Sequence, residues 1–285
     1  MSRLPAAALP IVLVPVGTDE DALDACLAAL DAGTPAGTRV WLADDAQAGP
    51  RGQDLIRGWL ARTRLQAAHT RRAAPLGEAA HLDEALRACG NADVAVLASD
   101  AVPTPGWLER LAGCLTRDPA IASATSWSNA GEAAAWPRIG EIVPVDVPPE
   151  RLAEACAQLQ PVHPDLPAAV GHAVLLRGEA RTRAGGVDAA SYRSWYAALI
   201  DLSLRMAGLG GRNVLCETAF VLRAREDAPG EGDMAALAAR WPAWHARIAQ
   251  CLMDDPLRAL RMQLDDALAR QARQPPQADL FADAS

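Results

Sequence analysis

The chain has 285 residues, 51% hydrophobic and 22% charged, which excludes a disordered or collagen-like protein and supplies enough apolar surface for a real core. A formal net charge of -8 leaves no global positive field to gather a polyanion, so nucleic acid is excluded as the main partner. All 27 basic residues are Arg, which rules out a Schiff-base lysine or a P-loop lysine.

The six cysteines (Cys26, Cys89, Cys114, Cys156, Cys216 and Cys251) contain no CxxC pair, as expected for isolated buried thiols in a reducing cytoplasm. Met1 to Pro10 holds too short an apolar run for a signal peptide, and no apolar segment is long enough to span a bilayer. Any membrane contact is therefore expected to be peripheral.

In chain order, Ile11 to Val16 reads as a buried strand, followed by Leu23, Cys26, Leu27 and Leu30 at helical spacing in a segment that Thr18 and Asp21 can cap. The unit repeats: strand Arg39 to Ala43, helix Gln53 to Leu60, weak strand Leu65 to His69, helix Leu76 to Ala88, strand Val94 to Leu97. Such alternation predicts a parallel sheet with helices on both faces. Ligands gather at the carboxyl ends of such strands, here Gly17, Asp44 with Asp45, and Ser99 with Asp100. A helix near Trp107 to Leu115, a strand at Ile121 to Ser126, a Pro-rich crossing from Trp136 to Pro149 and a helix from there to Leu159 follow. Ala173 to Arg177 reads as a strand, Trp195, Leu199, Leu202 and Met206 as a helical stripe, and Asn213 to Cys216 and Ala219 to Leu222 as two short strands. Met234 to Arg270 is helical in pattern with a break at Pro256, and Gln271 to Ser285 is expected to be a mobile tail.

Several stretches resemble the family 2 glycosyltransferases, nucleotide-sugar enzymes of the GT-A fold. Ile11-Val12-Leu13-Val14-Pro15-Val16 is similar to the family's opening strand, and Trp41-Leu42-Ala43-Asp44-Asp45-Ala46 to its second strand. The most specific match is Val94 to Asp100 followed by Pro103, Pro105, Gly106, Trp107 and Leu108, similar to the family's LLNSDTEVPPGWL segment. Ser126 to Ala130, Val170 to Arg177, Gly185 to Asp188 and Asp201 to Arg205 continue the series in order, and Asp255-Pro256-Leu257-Arg258 resembles an extension of bacterial members. The resemblance implies a Rossmann-like mixed α/β sheet flanked by helices over residues 9–230, a helical extension over 231–270 and a tail over 271–285. It also implies inverting transfer of a sugar from a nucleotide-sugar donor to a hydroxyl of a glycan or protein acceptor, in surface glycan or glycoprotein synthesis.

By the same resemblance Asp100 corresponds to the carboxylate that holds a divalent metal, Mn or Mg, against the donor diphosphate. Asp45, with Asp44, corresponds to the position that recognises the nucleotide base, and Pro15, Val16, Gly77 and Ser99 fall at further donor-binding positions. The family's catalytic base lies in a Gly-Glu-Asp/Glu-x-Asp run that reads Ala197-Ala198-Leu199-Ile200-Asp201 here, so neither Ala198 nor Leu199 can accept a proton. Loss of a positioned base costs about 10²- to 10⁴-fold in rate. Asp201, turned about 200° away on the same helix, is expected to be structural. Where relatives carry an aromatic-His pair, this chain has Leu222-Arg223, and Arg223 can pair with a diphosphate directly or lie at the surface.

His172 is either a replacement base near the acceptor or a satisfied core residue. Trp107, Trp127 and Trp136 can stack on sugar rings or be buried, with Trp127 and Asn129 the first candidates for acceptor contact. His69 and His81 lack metal-ligand spacing, and Arg71-Arg72 reads as a solvated pair. The alternative to an active enzyme is a family relative without catalysis that binds a sugar nucleotide, a glycan or a partner glycosyltransferase as a scaffold.

Overall fold

In the computed structural model, which describes residues 9–131, 133–169, 171–225 and 228–273, the alternating half of the chain folds as the pattern requires. The elements are β1 (Ile11–Val16), α1 (Glu20–Gly33), β2 (Arg39–Asp44), α2 (Pro50–Leu60), β3 (Gln66–Arg71), α3 (Glu78–Ala88) and β4 (Val94–Leu97). They are followed by β5 (Ala101–Pro103), α4 (Trp107–Arg117), β6 (Ile121–Trp127), α5 (Pro149–Ala157), β7 (Ala173–Leu176), α6 (Gly178–Arg183) and α7 (Trp195–Gly208). The last are β8 (Arg212–Arg223), α8 (Asp233–Arg240), α9 (Trp244–Asp254) and α10 (Arg258–Arg273).

The strands form one mixed sheet in the order β3-β2-β1-β4-β7-β6-β8-β5. β3, β2, β1 and β4 run parallel, β7 lies antiparallel between β4 and β6, β8 is parallel to β6, and β5 closes the edge antiparallel to β8. Both faces are buried, so successive side chains of β1 serve different cores: Val12 and Val14 pack toward α1 and α4, Leu13 toward α3 and α7. α4 shows what such burial contributes: Trp107, Leu108, Leu111, Cys114 and Leu115 lie on one covered face, each large side chain stabilising by roughly 1.5–3 kcal/mol. A third cluster, around Trp127, Trp136, Phe220 and Leu152, fixes α10 against α5 through Leu260 and Leu264.

Three expectations are corrected. α1 is capped by Asp19, not Thr18 or Asp21: Asp19 keeps extended backbone and its Oδ1 accepts from Ala22 N at 3.0 Å. The two short strands near residues 213–222 are one continuous strand. The polar Glu217 and Thr218 between them do not make a turn, because the Glu217 carboxylate is buried and accepts from the Val162 and His163 amides. The C-terminal segment breaks twice rather than once, at Pro242 as well as Pro256, since neither proline can donate to the preceding turn. β5 and α6 are additions to the elements read from the pattern. Residues 271–273 continue α10, and the rest of the expected tail lies outside the described residues. Among the described residues no helix is long and apolar enough to cross a membrane.

Candidate active site

The carboxyl ends of β1, β2 and β4 open into one cleft of about 500 Å³, closed on its far side by the end of β8 and the start of α7. Pro15, Val16, Gly17, Asp45, Gly77, Ser99, Asp100 and Arg223 line it, so most of the donor positions implied by the resemblance converge. At its floor the Gly17 amide donates to Ser99 Oγ at 2.9 Å, tying the β1 loop to the β4 loop.

Asp44 and Asp45, adjacent in sequence, have separate fates. Asp44 is fully buried; its Oδ1 accepts from the Gln47 and Ala48 amides at 2.7 and 3.2 Å, and its Oδ2 accepts from Arg71. It builds the turn after β2 and, unlike the donor position implied for it, does not line the cleft. Asp45 does. Its two oxygens accept from the Leu76 and Gly77 amides at 2.7 and 2.8 Å, which holds the loop before α3 against the end of β2. A carboxylate has further lone pairs, so Asp45 can still accept a ring N–H. Gly77, at φ +100, adopts a conformation that side-chain-bearing residues avoid. Arg71 and Arg72 are not a solvated pair: Arg71 serves Asp44, and Arg72 bridges to Glu84 at 2.7 Å and faces Asp45 at 3.7 Å.

Asp100 sits at the centre of the cleft wall and is held by two guanidinium groups. Arg223 Nε donates to its Oδ1 at 2.9 Å and Arg225 Nε to its Oδ2 at 3.1 Å. Arg225 also reaches Asp19 Oδ2 at 3.2 Å. The donor set here does not fit the expected divalent cation. Each Asp100 oxygen faces a guanidinium, so a cation there would sit beside two fixed positive charges, and among the described residues no three His, Cys, Asp or Glu are grouped to hold a metal ion. A divalent cation bound to Asp100 would be repelled by both neighbouring guanidinium groups, which weakens its hold on a single carboxylate.

Asn129, expected at the acceptor, is a clamp. Its Oδ1 accepts from the Arg223 amide at 2.7 Å, and its Nδ2 donates to the carbonyls of Arg223 and Val143 at 2.9 and 3.0 Å. Trp127, expected there too, is wholly buried under the Arg261 guanidinium and presents no face to a ligand. Trp107 and Trp136 are likewise committed, their indole N–H groups donating to Thr34 Oγ1 at 3.1 Å and Asp265 Oδ1 at 2.9 Å.

His172 lies behind Arg223, at the wall of a second, mainly apolar cavity shared with Pro167, Tyr196, Ile200, Trp244 and Ile248. Its Nε2 is 3.1 Å from the Ser126 carbonyl, which can only accept, so Nε2 carries the hydrogen. Nδ1 is then a bare acceptor, buried and without a hydrogen-bond partner among the described residues. Burial first, and the charge of Arg223 second, push the imidazole down to about 3, so it is neutral near pH 7.

Ala198 and Leu199, at the position of the family's base, are packed inside the core that α3, α7 and α8 share, and neither lines the cleft or the apolar cavity. Asp201 is structural, as expected: it accepts from Arg205 Nε at 2.8 Å and Trp241 Nε1 at 2.9 Å. Sequence reasoning missed Arg225, Thr18, Gln47, His81 and Trp195, which also line the cleft. For Arg225 a signal existed, since two arginines spaced i, i+2 at a strand end can share one face.

Residues 11–166, more than half of the chain, match glycosyl transferase family 2. The chain belongs to that family. No curated protein matches it. Solved structures similar to this family 2 chain include the mannosyltransferase PcManGT from Pyrobaculum calidifontis, in complex with GDP-Man and Mn²⁺: 17% identity, 96% of this chain and 80% of that one, TM-score 0.58. GalNAc-T7 with UDP, GalNAc and Mn²⁺ is 11% identical over 92% of this chain and 55% of that one, TM-score 0.63. TarS residues 1–349 from S. aureus is 12% identical over 92% of this chain and 72% of that one, TM-score 0.56. At these identities the likeness establishes the GT-A fold, and the chemistry of this family 2 member has to be argued from its own residues.

Proposed function

We propose that the protein binds a nucleotide-sugar donor in the cleft and transfers the sugar, with inversion, to a hydroxyl presented from the apolar cavity, in surface glycan or glycoprotein synthesis at the cytoplasmic side of a membrane. The observation that carries this reading is the convergence of Asp45, Gly77, Ser99, Asp100 and Arg223 on one cleft at the carboxyl ends of β1, β2 and β4. Arg223 also borders the apolar cavity, so a sugar bound between the two sites has its anomeric carbon open to attack from the cavity side.

In the reaction the acceptor oxygen bonds to the anomeric carbon as the bond to the diphosphate oxygen breaks, and that electron pair leaves with the nucleoside diphosphate. The acceptor's proton goes to His172 Nδ1, which is buried and is reached only by a hydroxyl that enters the apolar cavity against it. A diphosphate beside Arg223 offsets the positive charge that, after burial, depresses His172, so donor binding raises the proton affinity of the imidazole.

The test is calorimetric titration with UDP-, dTDP- and GDP-sugars, followed by nucleotide release in the presence of candidate acceptors. One donor should bind and be consumed, with binding weakened in Arg223→Ala and turnover lowered about 10²-fold or more in His172→Gln. Failure of every donor to bind would overturn the proposal. The burial of Leu199 favours a second reading, a relative that binds donor without turnover and scaffolds a partner glycosyltransferase. Tight donor binding, no consumption and a retained partner in pull-down would select it.

A further inference from the structure

We infer that Arg223 and Arg225 hold the donor diphosphate in place of a divalent cation, with Asp100 as the latch that keeps both guanidinium groups at the cleft. This rests on the donor-binding reading above. What a cation supplies at such a site is fixed positive charge beside the leaving phosphates, and here that charge is built into the chain. The carboxylate best placed to anchor a cation has each oxygen engaged by a different arginine, at 2.9 and 3.1 Å.

The arrangement is preorganised. Asn129 grips Arg223 by both its backbone N–H and its C=O, so the guanidinium projects from a fixed point at the last residue of β8. Arg223 is nearly buried, whereas the Arg225 side chain is half exposed, with a relative accessibility of 53%. Arg225 spans from Asp100 at the wall to Asp19 at the mouth, where Asp19 also caps α1. Among the described residues the cluster pairs Asp100 and Asp19 with Arg223 and Arg225. Asp19 is partly exposed and is the partner that yields: its return to water leaves the Arg225 guanidinium for a phosphate oxygen, a ligand that suits the planar fork as well as a carboxylate does. Asp100 stays behind the pair and keeps both guanidiniums aimed into the cleft.

The experiment is titration of the intact protein with UDP, GDP, CDP and dTDP, each in excess EDTA and again in millimolar Mn²⁺. At least one should bind in EDTA with a Kd within about threefold of that in Mn²⁺. Arg223→Ala and Arg225→Gln should each weaken that binding at least tenfold, and circular dichroism should report an intact fold for Arg225→Gln, whose side chain is half in solvent. Binding that appears only with Mn²⁺ would overturn the inference and leave the donor reading standing, as would full affinity in a folded Arg225→Gln. No binding under either condition would remove the donor reading itself and this inference with it.

Discussion

His172 makes the pH dependence of stability a direct readout of how its surroundings are built. Its imidazole is pushed from 6.5 to about 3 by burial and by Arg223, so in the folded protein it stays neutral where the unfolded chain would take up a proton. Between those two values the unfolded state binds more protons, and stability falls as pH falls from about 6.5 toward 3; above 6.5 the contribution is fully present. The whole difference is worth on the order of 5 kcal/mol, and by pH 5 roughly 2 kcal/mol is already lost. Urea unfolding of wild type and His172→Gln at pH 7.5 and pH 5 isolates this group, because every other titration is common to both proteins. Glutamine can still donate to the Ser126 carbonyl but does not titrate. Wild type should lose about 2 kcal/mol more than the variant on going to pH 5, and equal losses in the two proteins would refute a buried neutral imidazole.

Other parts of the molecule make equally direct predictions. Asp201→Ala should destabilise by about 3–5 kcal/mol, because it strands Arg205 and frees the Trp241 indole that ties the C-terminal helices to α7; denaturant midpoint and protease sensitivity after residue 230 both report it. Gly178→Ala should cost at least about 1–3 kcal/mol and lower Tm by several degrees, since its new Cβ would meet the Asn91 carbonyl oxygen at 2.0 Å; an unchanged melt would contradict the packing of α6 on that loop. Leu199→Asp, which writes an acid back into the position of the family's base, should lose roughly 3–5 kcal/mol and gain no turnover, as Leu199 is 1% exposed and faces the core. A stable, more active variant would show that this helix face opens on the cleft.

The parts of the fold that depend on a repeated apolar pattern were legible before any coordinates. Ile11–Val16 and Val94–Leu97 are strands to the residue, because both are continuous apolar runs bounded by polar breaks. What escaped was decided by partners distant in sequence. Glu217 reads as a turn residue until the His163 and Val162 amides, more than fifty positions earlier, are seen to satisfy it. Asp44 and Asp45 are indistinguishable as letters, but Asp44 ends β2 in register with Arg71, and Asp45, just beyond the strand, turns to the cleft. Asn129 carried a polar side chain in a family-like motif, but its work is internal: two of its hydrogen bonds reach a strand end 94 residues away. The site was legible as a set of carboxylates at one sheet edge; that Asp100 answers to arginines was not, since the spacing of Arg223 and Arg225 does not name a carboxylate 123 and 125 positions earlier.

The two hollows draw on the chain unequally. Among the described residues, those that wall the larger one all come before position 229, whereas the apolar hollow takes Trp244 and Ile248 from α9. On the function proposed above, α9 would touch the acceptor and not the donor, while Arg223 and the residues before it serve both hollows. Exchanging α9 between related proteins should, on that reading, alter the fit of the acceptor through Trp244 and Ile248 and leave the choice of activated sugar unchanged.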